Sequence, residues 1–477
     1  MPNAPPDFCG GIGNIARRRM KVTARTCRRA NIVNSGHLEN KERKRAQDMI
    51  RTLQFKYALK TDGVTAIMLN LYENMDPGQV SFDFLVGDEK VPPEIRKRIE
   101  ERGGRIYSIA AACREKNRLA YTLHKVAFCY RLMRENHYDL VHVHTENAGR
   151  SLILIFAGLA GVRGRILHSH SAFTQSGKKG ARKQRILKQL MPLWTNGYLT
   201  CSEEAARWMF PKRITKSGRS GKVASAGRGN RSGKGSRVVM IPNGIRVDDF
   251  RFSEEVREAV RRELGAEEKD FLLCTVGRLA PEKNYGFLLL VLKELIRRMK
   301  TSSGQEDIRF RLLFIGEGPE ESGLREMARE LEIEDRVCFL GNREDVPRLL
   351  MGADCFLLPS LFEGLPLVLV EAQASGLPCV ASDRITRQVE LTGQITYLPV
   401  EEPSDEEAAG KLAQRWARQI QAFSKDREGE IWRPEGAILV KEAGFDVADA
   451  ARKLERYYRA ISAKGRRGPR RGRGDAV

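Results

Sequence analysis

From about residue 48 the chain alternates short apolar, strand-like runs with longer helix-like segments, in two successive series. Neighbouring parallel strands can be joined only through a crossover, which a helix normally supplies, so this alternation predicts parallel sheets covered by helices. In the first series Arg51 to Leu59 and Ser81 to Val86 read as strands on either side of a helix from Val64 to Asn74. Asp139 to His144 and Arg165 to His170 are short strands ending in histidine, and Leu199 to Ser202 ends a strand before a helix from Glu203 to Met209. The series closes at Val238 to Ile245, where Pro242-Asn243-Gly244 is a turn signal. The second series opens at Phe271. Phe271 to Leu279 is a strand running into a loop, Phe287 to Met299 a helix with an apolar stripe, Arg309 to Gly316 a strand, and Leu324 to Glu332 a helix. Val337 to Gly341 is then a strand that leads to a helix from Val346 to Met351. A last helix, Val447 to Ala460, is remote in the chain and can pack on either half. A length of 477 residues exceeds what one core holds, so two α/β, doubly wound domains are expected.

The net charge of +22 suggests nucleic acid until it is located. Residues 1–47 carry eleven Lys/Arg against three acids, residues 211–237 nine against none, and residues 464–477 six against one, which leaves the rest of the chain neutral. All three segments are poor in large apolar side chains, and the last two are rich in Gly, Ser and Arg, a composition that cannot offset its ordering entropy. They read as a disordered N-terminal extension, a loop insertion and a tail. Attraction to an anionic membrane face is a further use for them. No specific nucleic acid is expected, because no aromatic residues interleave the basic ones of the insertion and the tail to give bases a stacking platform. The domain limits are then 48–245 and 246–445, followed by a helix over 446–463. Nine scattered cysteines, odd in number and without a CxxC pair, suit a reduced, cytoplasmic compartment. The longest apolar stretch, Leu152 to Val162, is too short to span a bilayer, and the basic N-terminus lacks the apolar region of a secretory signal.

The chemistry concentrates in Ser360 to Ser382. Cys355 to Pro359 reads as a buried parallel strand, and at its carboxyl end Glu363 and Glu371 stand eight positions apart around a Gly364-Leu365-Pro366 turn that opens an apolar helix. Pro366 suits the first helical position, where its missing N–H costs nothing. The free N–H groups of that first turn and the positive end of the helix dipole make an anion site. Glu363 can accept hydrogen bonds from sugar hydroxyls, and Glu371 from a second set such as a ribose. The flanks of Glu371 are apolar or small, so an unpaired carboxylate there is costly unless it has a ligand.

Taken together, VGRLAPEKN from Val276, FIGEGPE from Phe314, VCFLGNREDVPRLL from Val337, LPSLFEGLPLVLVEAQASGLP from Leu358 and IPNGI from Ile241 resemble the retaining, nucleotide-sugar-dependent glycosyltransferases of group 1 (family 4). The wording is most like that of the EpsF-type capsular and exopolysaccharide transferases, which also carry stretches like His168-Ser169-His170 and Cys201 to Ala205. The resemblance covers roughly residues 50–210 and 238–462 and implies the GT-B fold: two Rossmann-like domains facing across a cleft, with a C-terminal helix that can pack back on the first domain.

The resemblance also implies roles. Arg278 and Lys283, after Gly277, correspond to the pair that neutralises the donor diphosphate; a forked guanidinium and a compact ammonium suit a leaving group whose charge grows as the glycosidic bond breaks. Glu363 matches the glutamate at the donor sugar, beside the N–H groups of Gly364, Leu365, Pro366 and Leu367 as a segment (proline itself has none), and Glu371 matches the one that binds the ribose. Glu317, between Gly316 and Gly318, resembles a nucleotide-contacting loop whose glycines allow the ligand close backbone approach, with a plain turn as the alternative, and Asn342 resembles a residue of the loop near the nucleobase. His170 corresponds to the active-site histidine, with His168 as the alternative because a two-residue register shift exchanges them on one face. His142 and His144 form a second such pair. Four histidines raise a metal reading, set against the lack of a clustered carboxylate and of any Asp-x-Asp. Cleft-lining histidines are the simpler account, and no metal or cofactor is expected. Related chains have a Gly-Gly loop after the first strand; here only Gly63 remains, in Lys60-Thr61-Asp62-Gly63. The segment 211–237 interrupts the stretch that normally leads from CSEEA to IPNG, so it is expected to emerge as a long loop.

The expected activity is sugar transfer from a nucleoside-diphosphate sugar to a saccharide or lipid-linked acceptor, in the cytoplasm or peripherally at the inner membrane face. The departing phosphate oxygen would take the acceptor's proton, so that positioning and charge stabilisation supply most of the acceleration. A sugar-nucleotide epimerase or a phosphorylase shares this architecture, and fold alone does not separate them. A basic nucleic-acid-binding protein is the non-enzymatic alternative, suggested by net charge alone.

Overall fold

A computed structural model describes residues 49–60, 62–115, 117–170, 178–215, 224–225, 238–301, 308–402, 406–425 and 433–464. The first half holds strands β1 (Ile50–Lys56), β2 (Val80–Val86), β3 (Ile106–Ser108), β4 (Leu140–His144), β5 (Gly164–Ser169), β6 (Gly197–Thr200), β7 (Ala224–Ser225) and β8 (Val238–Met240). They form one parallel sheet in the order β3-β2-β1-β4-β5-β6-β8-β7. The second half holds β9 (Asp270–Val276), β10 (Arg309–Ile315), β11 (Val337–Phe339), β12 (Cys355–Leu358), β13 (Cys379–Ser382) and β14 (Ile395–Leu398), parallel throughout in the order β11-β10-β9-β12-β13-β14. Both expected doubly wound sheets are present.

The second sheet shows why its strands read as unbroken apolar runs. Leu272 and Cys274 of β9 join Leu313, Ile315, Phe356 and Leu358 in a core on one face. Phe271 and Leu273 join Leu312, Phe314, Cys355 and Leu357 on the other, under the helices Tyr285–Thr301 and Glu406–Lys425. Helices on both faces leave no solvent side, so the polar alternation of a half-exposed strand is missing.

Several boundaries move for local reasons. The first strand ends at Lys56 rather than Leu59, and the Tyr57 carbonyl instead accepts from the N–H groups of Gly87 and Asp88. Ser202 lies beyond β6 as a helix cap: its hydroxyl accepts from the Ala205 N–H, and Glu203 and Glu204 occupy the first turn, where the helix dipole favours acids. Pro366 is the cap residue of helix Leu367–Ala374, one position earlier than expected. Part of the segment 211–237 is ordered: Lys212–Thr215 is a helical turn and Ala224–Ser225 pairs with β8. The remainder of that call, with residues 1–47 and 465–477, lies outside the described residues.

The C-terminal helix, Val447–Lys464, packs on the first half. Val447, Ala450, Ala451, Leu454, Tyr458 and Ile461 are buried among Tyr72, Phe82, Leu140, Ile166 and Leu199. Close approach is allowed by glycines at the starts of β5 and β6: a Cβ on Gly164 would stand 2.8 Å from Ile461 Cγ2, and one on Gly197 2.7 Å from Ile461 Cδ1. The chain therefore crosses between halves twice, and the crossings touch. Ile245 N–H donates to the Phe445 carbonyl at 2.8 Å and Val447 N–H donates to the Ile245 carbonyl at 2.9 Å. Among the described residues no helix is long and apolar enough to cross a membrane, and the seven cysteines there are free.

Gly197→Val forces Ile461 and Ile166 apart and should lower stability by roughly 1–3 kcal/mol, as overpacking does. Gly410→Ala is the control: a Cβ there meets nothing within 4 Å, and the position lies inside a helix, so the change should stabilise by about 0.5–1 kcal/mol. Urea denaturation of the two variants checks both signs.

Candidate functional site

Strand order reverses between β1 and β4 in the first sheet and between β9 and β12 in the second. At such points the loops leaving adjacent strands diverge to opposite faces, so a crevice opens at the carboxyl edge. In the first half it is a cleft of about 430 Å³ lined by Lys56 at the end of β1, Tyr57 and Ala58 after it, His144 and Thr145 at the end of β4, His170 after β5 and Asn243 after β8. Leu365 and Leu367 of the second half line the same cleft, so the loop after β12 faces the first domain.

Around the second reversal two loops are tied by charge. Lys283 Nζ lies 2.5 Å from Glu363 Oε1, with both side chains largely buried, and Ser360 Oγ donates to the same oxygen at 2.9 Å. The Leu361 N–H donates to the Glu282 carbonyl at 2.9 Å. Asn284, in the left-handed region at φ 55°, turns the chain after Lys283 and donates to the Glu401 carbonyl at 3.1 Å. Arg278 is exposed, without an ion pair among the described residues. Helix Leu367–Ala374 has no side chain capping its N-terminus, so its first N–H groups remain available. Glu371, one turn further, is half-buried without a charged or hydrogen-bonding partner among the described residues, and burial alone pushes its carboxyl up to about 7.

The glycines near Glu317 do something other than expected. A Cβ on Gly316 would stand 2.1 Å from the Gly277 carbonyl oxygen, and one on Gly318 2.2 Å from that of Leu279. Their close approach is to the loop after β9, which they lace to the loop after β10 through Gly277 N–H to the Ile315 carbonyl and Leu279 N–H to the Glu317 carbonyl. A Gly316 to Gly341 bridge adds the loop after β11, and Asn342 N–H donates to Glu317 Oε1 at 3.3 Å. Gly277, Glu317 and Asn342 thus share one edge with Arg278 and Lys283. Gly364 has open space around it, where a Cβ would meet nothing.

In the first half His170, not His168, lines the cleft; His168 lies beneath it with a ring-centroid separation of 4.0 Å. His142 and His144 extend the same stack, and burial drives all four rings to low pKa, His170 to about 3, so they are neutral at physiological pH. His142, His144 and His168 bring ring nitrogens within 4.8 Å of one another, one of two such groups among the described residues. Both nitrogens of His144 are already engaged, with His170 at 2.8 Å and Gln54 at 2.9 Å, which favours a hydrogen-bonded stack over a metal centre. Gly63 lines the cleft, but the helix it begins is capped by Asp62, whose carboxylate accepts from the Thr65 N–H and pairs with Lys56 at 2.8 Å. The helix N-terminus that a Gly-Gly loop would leave open is thus occupied by a carboxylate.

Sequence reading missed Lys56, Asp62, Gln54 and Asn243. The last was visible only as a turn residue, yet it is buried with its side-chain oxygen unpartnered and lines the cleft. Lys56 and Asp62 carry a signal in hindsight, as charges directly flanking the end of the first strand. Gln54, inside an apolar strand, carries only its polarity.

Residues 256–421 match the family model "Glycosyl transferases group 1". Over 357 residues the chain is 31% identical to EpsF of Bacillus subtilis, named as a glycosyltransferase, covering 74% of this chain and 84% of that one. It is 25% identical over 281 residues to the Escherichia coli UDP-Gal:alpha-D-GlcNAc-diphosphoundecaprenol alpha-1,3-galactosyltransferase, covering 58% of this chain and 66% of that one. Among solved structures, Anabaena HepE in complex with UDP superposes with a TM-score of 0.63 at 16% identity, over 86% of this chain and 100% of that one. The chain belongs to the group 1 glycosyltransferases of the GT-B fold, hexosyltransferases that move a sugar from a nucleotide sugar.

Proposed function

We propose that this enzyme transfers a hexose, with retention at the anomeric carbon, from a nucleoside-diphosphate sugar held by the second half to a saccharide or lipid-linked saccharide held by the first, as a step of capsular or exopolysaccharide assembly. The observation that carries the reading is the cluster at the second strand-order reversal: an ammonium bound to Glu363, an uncapped helix N-terminus, and the unpartnered Glu371. The names of the EpsF and galactosyltransferase relatives support the pathway and a lipid-linked acceptor.

In this reading the diphosphate competes with Glu363 for Lys283. It offers several negative charges where the carboxylate offers one, and the N–H groups of the helix Leu367–Ala374 and the exposed Arg278 add further donors. Glu363, still held by Ser360, then accepts from hydroxyls of the donor sugar. Charge that develops on the departing phosphate is met by groups already in place, so little reorganisation accompanies bond breaking. That oxygen takes the proton of the attacking hydroxyl on the face it leaves, which preserves the anomeric configuration. The side-chain cations do the neutralising, and no metal is required. The compartment is the cytoplasm, and the basic segments 1–47, 211–237 and 464–477 draw the protein to anionic lipid at about 1 kcal/mol per basic residue near the surface.

Transfer is measured as nucleoside diphosphate released only when acceptor is present, with the product's anomeric configuration read by NMR; release without acceptor, or an inverted product, contradicts the reading. Glu363→Ala and Lys283→Ala should each lower kcat/KM by about 10²–10³-fold with the fold retained. A rate unchanged by EDTA is expected, and one lost to EDTA would show that a cation does the work assigned to Lys283 and Arg278.

Glu371 gives a prediction of opposite signs. Ribose hydroxyls donate to the ionised carboxylate, so nucleotide affinity should rise as pH increases from 6 to 8, through the raised pKa of about 7. Without ligand the unpaired charge works against folding. The unfolded chain ionises this group near pH 4.5, so stability falls as pH rises from there to about 7 and is level above. Glu371→Gln should therefore raise stability at pH 8 by on the order of 1 kcal/mol while weakening nucleotide binding and abolishing its pH dependence. Thermal shift with and without nucleotide, at pH 6 and pH 8, reads all of these.

A further inference from the structure

The buried polar side chains behind the first-half cleft form a single chain of hydrogen bonds whose direction is fixed at one end. Thr52 Oγ1, fully buried in β1, donates to the Ser81 carbonyl at 2.8 Å. A carbonyl can only accept, so the hydroxyl proton is committed there, and Thr52 Oγ1 can only accept from its other neighbour. That neighbour is Gln54, whose Nε2 lies 3.1 Å away. The amide orientation is thereby set, and Gln54 Oε1 is the atom 2.9 Å from His144 Nε2. An amide oxygen accepts, so His144 carries its proton on Nε2. In a neutral ring Nδ1 is then a bare lone pair, and it lies 2.8 Å from His170 Nε2. His170 must donate at Nε2, which leaves His170 Nδ1 unprotonated. The second N–H of Gln54 donates to Tyr458 Oη at 3.2 Å, so the phenol proton goes to His142 Nδ1 at 2.6 Å, and the branch agrees with the main line.

We propose that Thr52, Gln54 and His144 are positioning residues that hold His170 as the Nε2–H tautomer, so that His170 Nδ1 serves as a hydrogen-bond acceptor for a hydroxyl of the saccharide bound in the cleft. His170 lines that cleft, and its Nδ1 is buried without a partner among the described residues, a cost that a ligand hydroxyl would remove. The opposite tautomer would present an N–H, which suits a phosphate, carbonyl or hydroxyl oxygen as its acceptor and so would not turn an anion away. The chain thus selects the chemical class that His170 receives: a donor O–H rather than an anion. The role given to the saccharide rests on the transferase reading above, whereas the tautomer stands on geometry alone.

The test uses the full-length protein labelled with [15N]histidine and long-range 1H–15N correlation of the ring nitrogens, with His170 assigned by the loss of its signals in His170→Asn. The expected wild-type result is a protonated Nε2 and a bare Nδ1 at both His144 and His170. A protonated His170 Nδ1 overturns the inference, whatever the variants do. Thr52→Val keeps the side-chain shape but removes the fixed end, so Gln54 can turn over. The His170 tautomers should then mix, and kcat should fall about tenfold with the KM for the nucleotide sugar unchanged. Thr52→Ser should restore both. A folded Thr52→Val that keeps the single tautomer would refute the anchoring role. The predicted tautomer in a protein inactive with every nucleotide sugar would count against the transferase reading and leave the hydrogen-bond chain intact.

Discussion

The 2.5 Å contact between Lys283 and Glu363 joins the loop after β9 to the loop after β12 at the place where the second sheet reverses its strand order. Without it a largely buried ammonium would lack its ionic partner and the Glu363 carboxylate would keep only the Ser360 hydroxyl, with the Leu361 N–H to the Glu282 carbonyl left to tie the loops. The pair keeps the two groups desolvated and in register. In the proposed reaction, binding exchanges one ionic partner for another and does not have to assemble the site.

Rigid lacing surrounds this exchangeable contact. Gly316 and Gly318 admit the backbone of Gly277 and Leu279 at distances no side chain would allow, and the Gly316 to Gly341 bridge extends the lacing to the loop after β11. On the opposite wall the histidine stack is held through Gln54 and Tyr458, the latter from the C-terminal helix that has crossed back to the first domain. The two walls meet through Leu365 and Leu367 and through the touching crossings at Ile245 and Phe445 to Val447.

Much of this was legible in the sequence because it is local. Strand runs such as Cys355 to Leu358 declare themselves by apolarity, and a Gly-Leu-Pro turn before an apolar helix declares an open helix N-terminus. Glu371 was legible for the same reason, as a carboxylate among side chains that offer it nothing. What could not be read depends on distant parts of the chain. The packing of the C-terminal helix is decided by Gly164 and Gly197, some three hundred residues earlier, whose missing side chains make room for Ile461. The choice between His168 and His170 follows from which ring ends the stack at the cleft, a matter of depth that an alternating pattern cannot express. The glycines at 316 and 318 were read correctly as sites of close approach but assigned to a ligand, since a sequence does not say what approaches. Asp62 was passed over because its effect, filling a helix N-terminus, cancels a feature and adds no motif.

The most direct test of the account is a crystal structure of the enzyme with a nucleoside diphosphate bound. The expected result is the diphosphate at Lys283 and the N-terminus of helix Leu367–Ala374, the Lys283 to Glu363 contact lengthened, and the ribose hydroxyls on Glu371. A nucleotide bound elsewhere, with Lys283 still on Glu363 and Glu371 still without a partner, would contradict it.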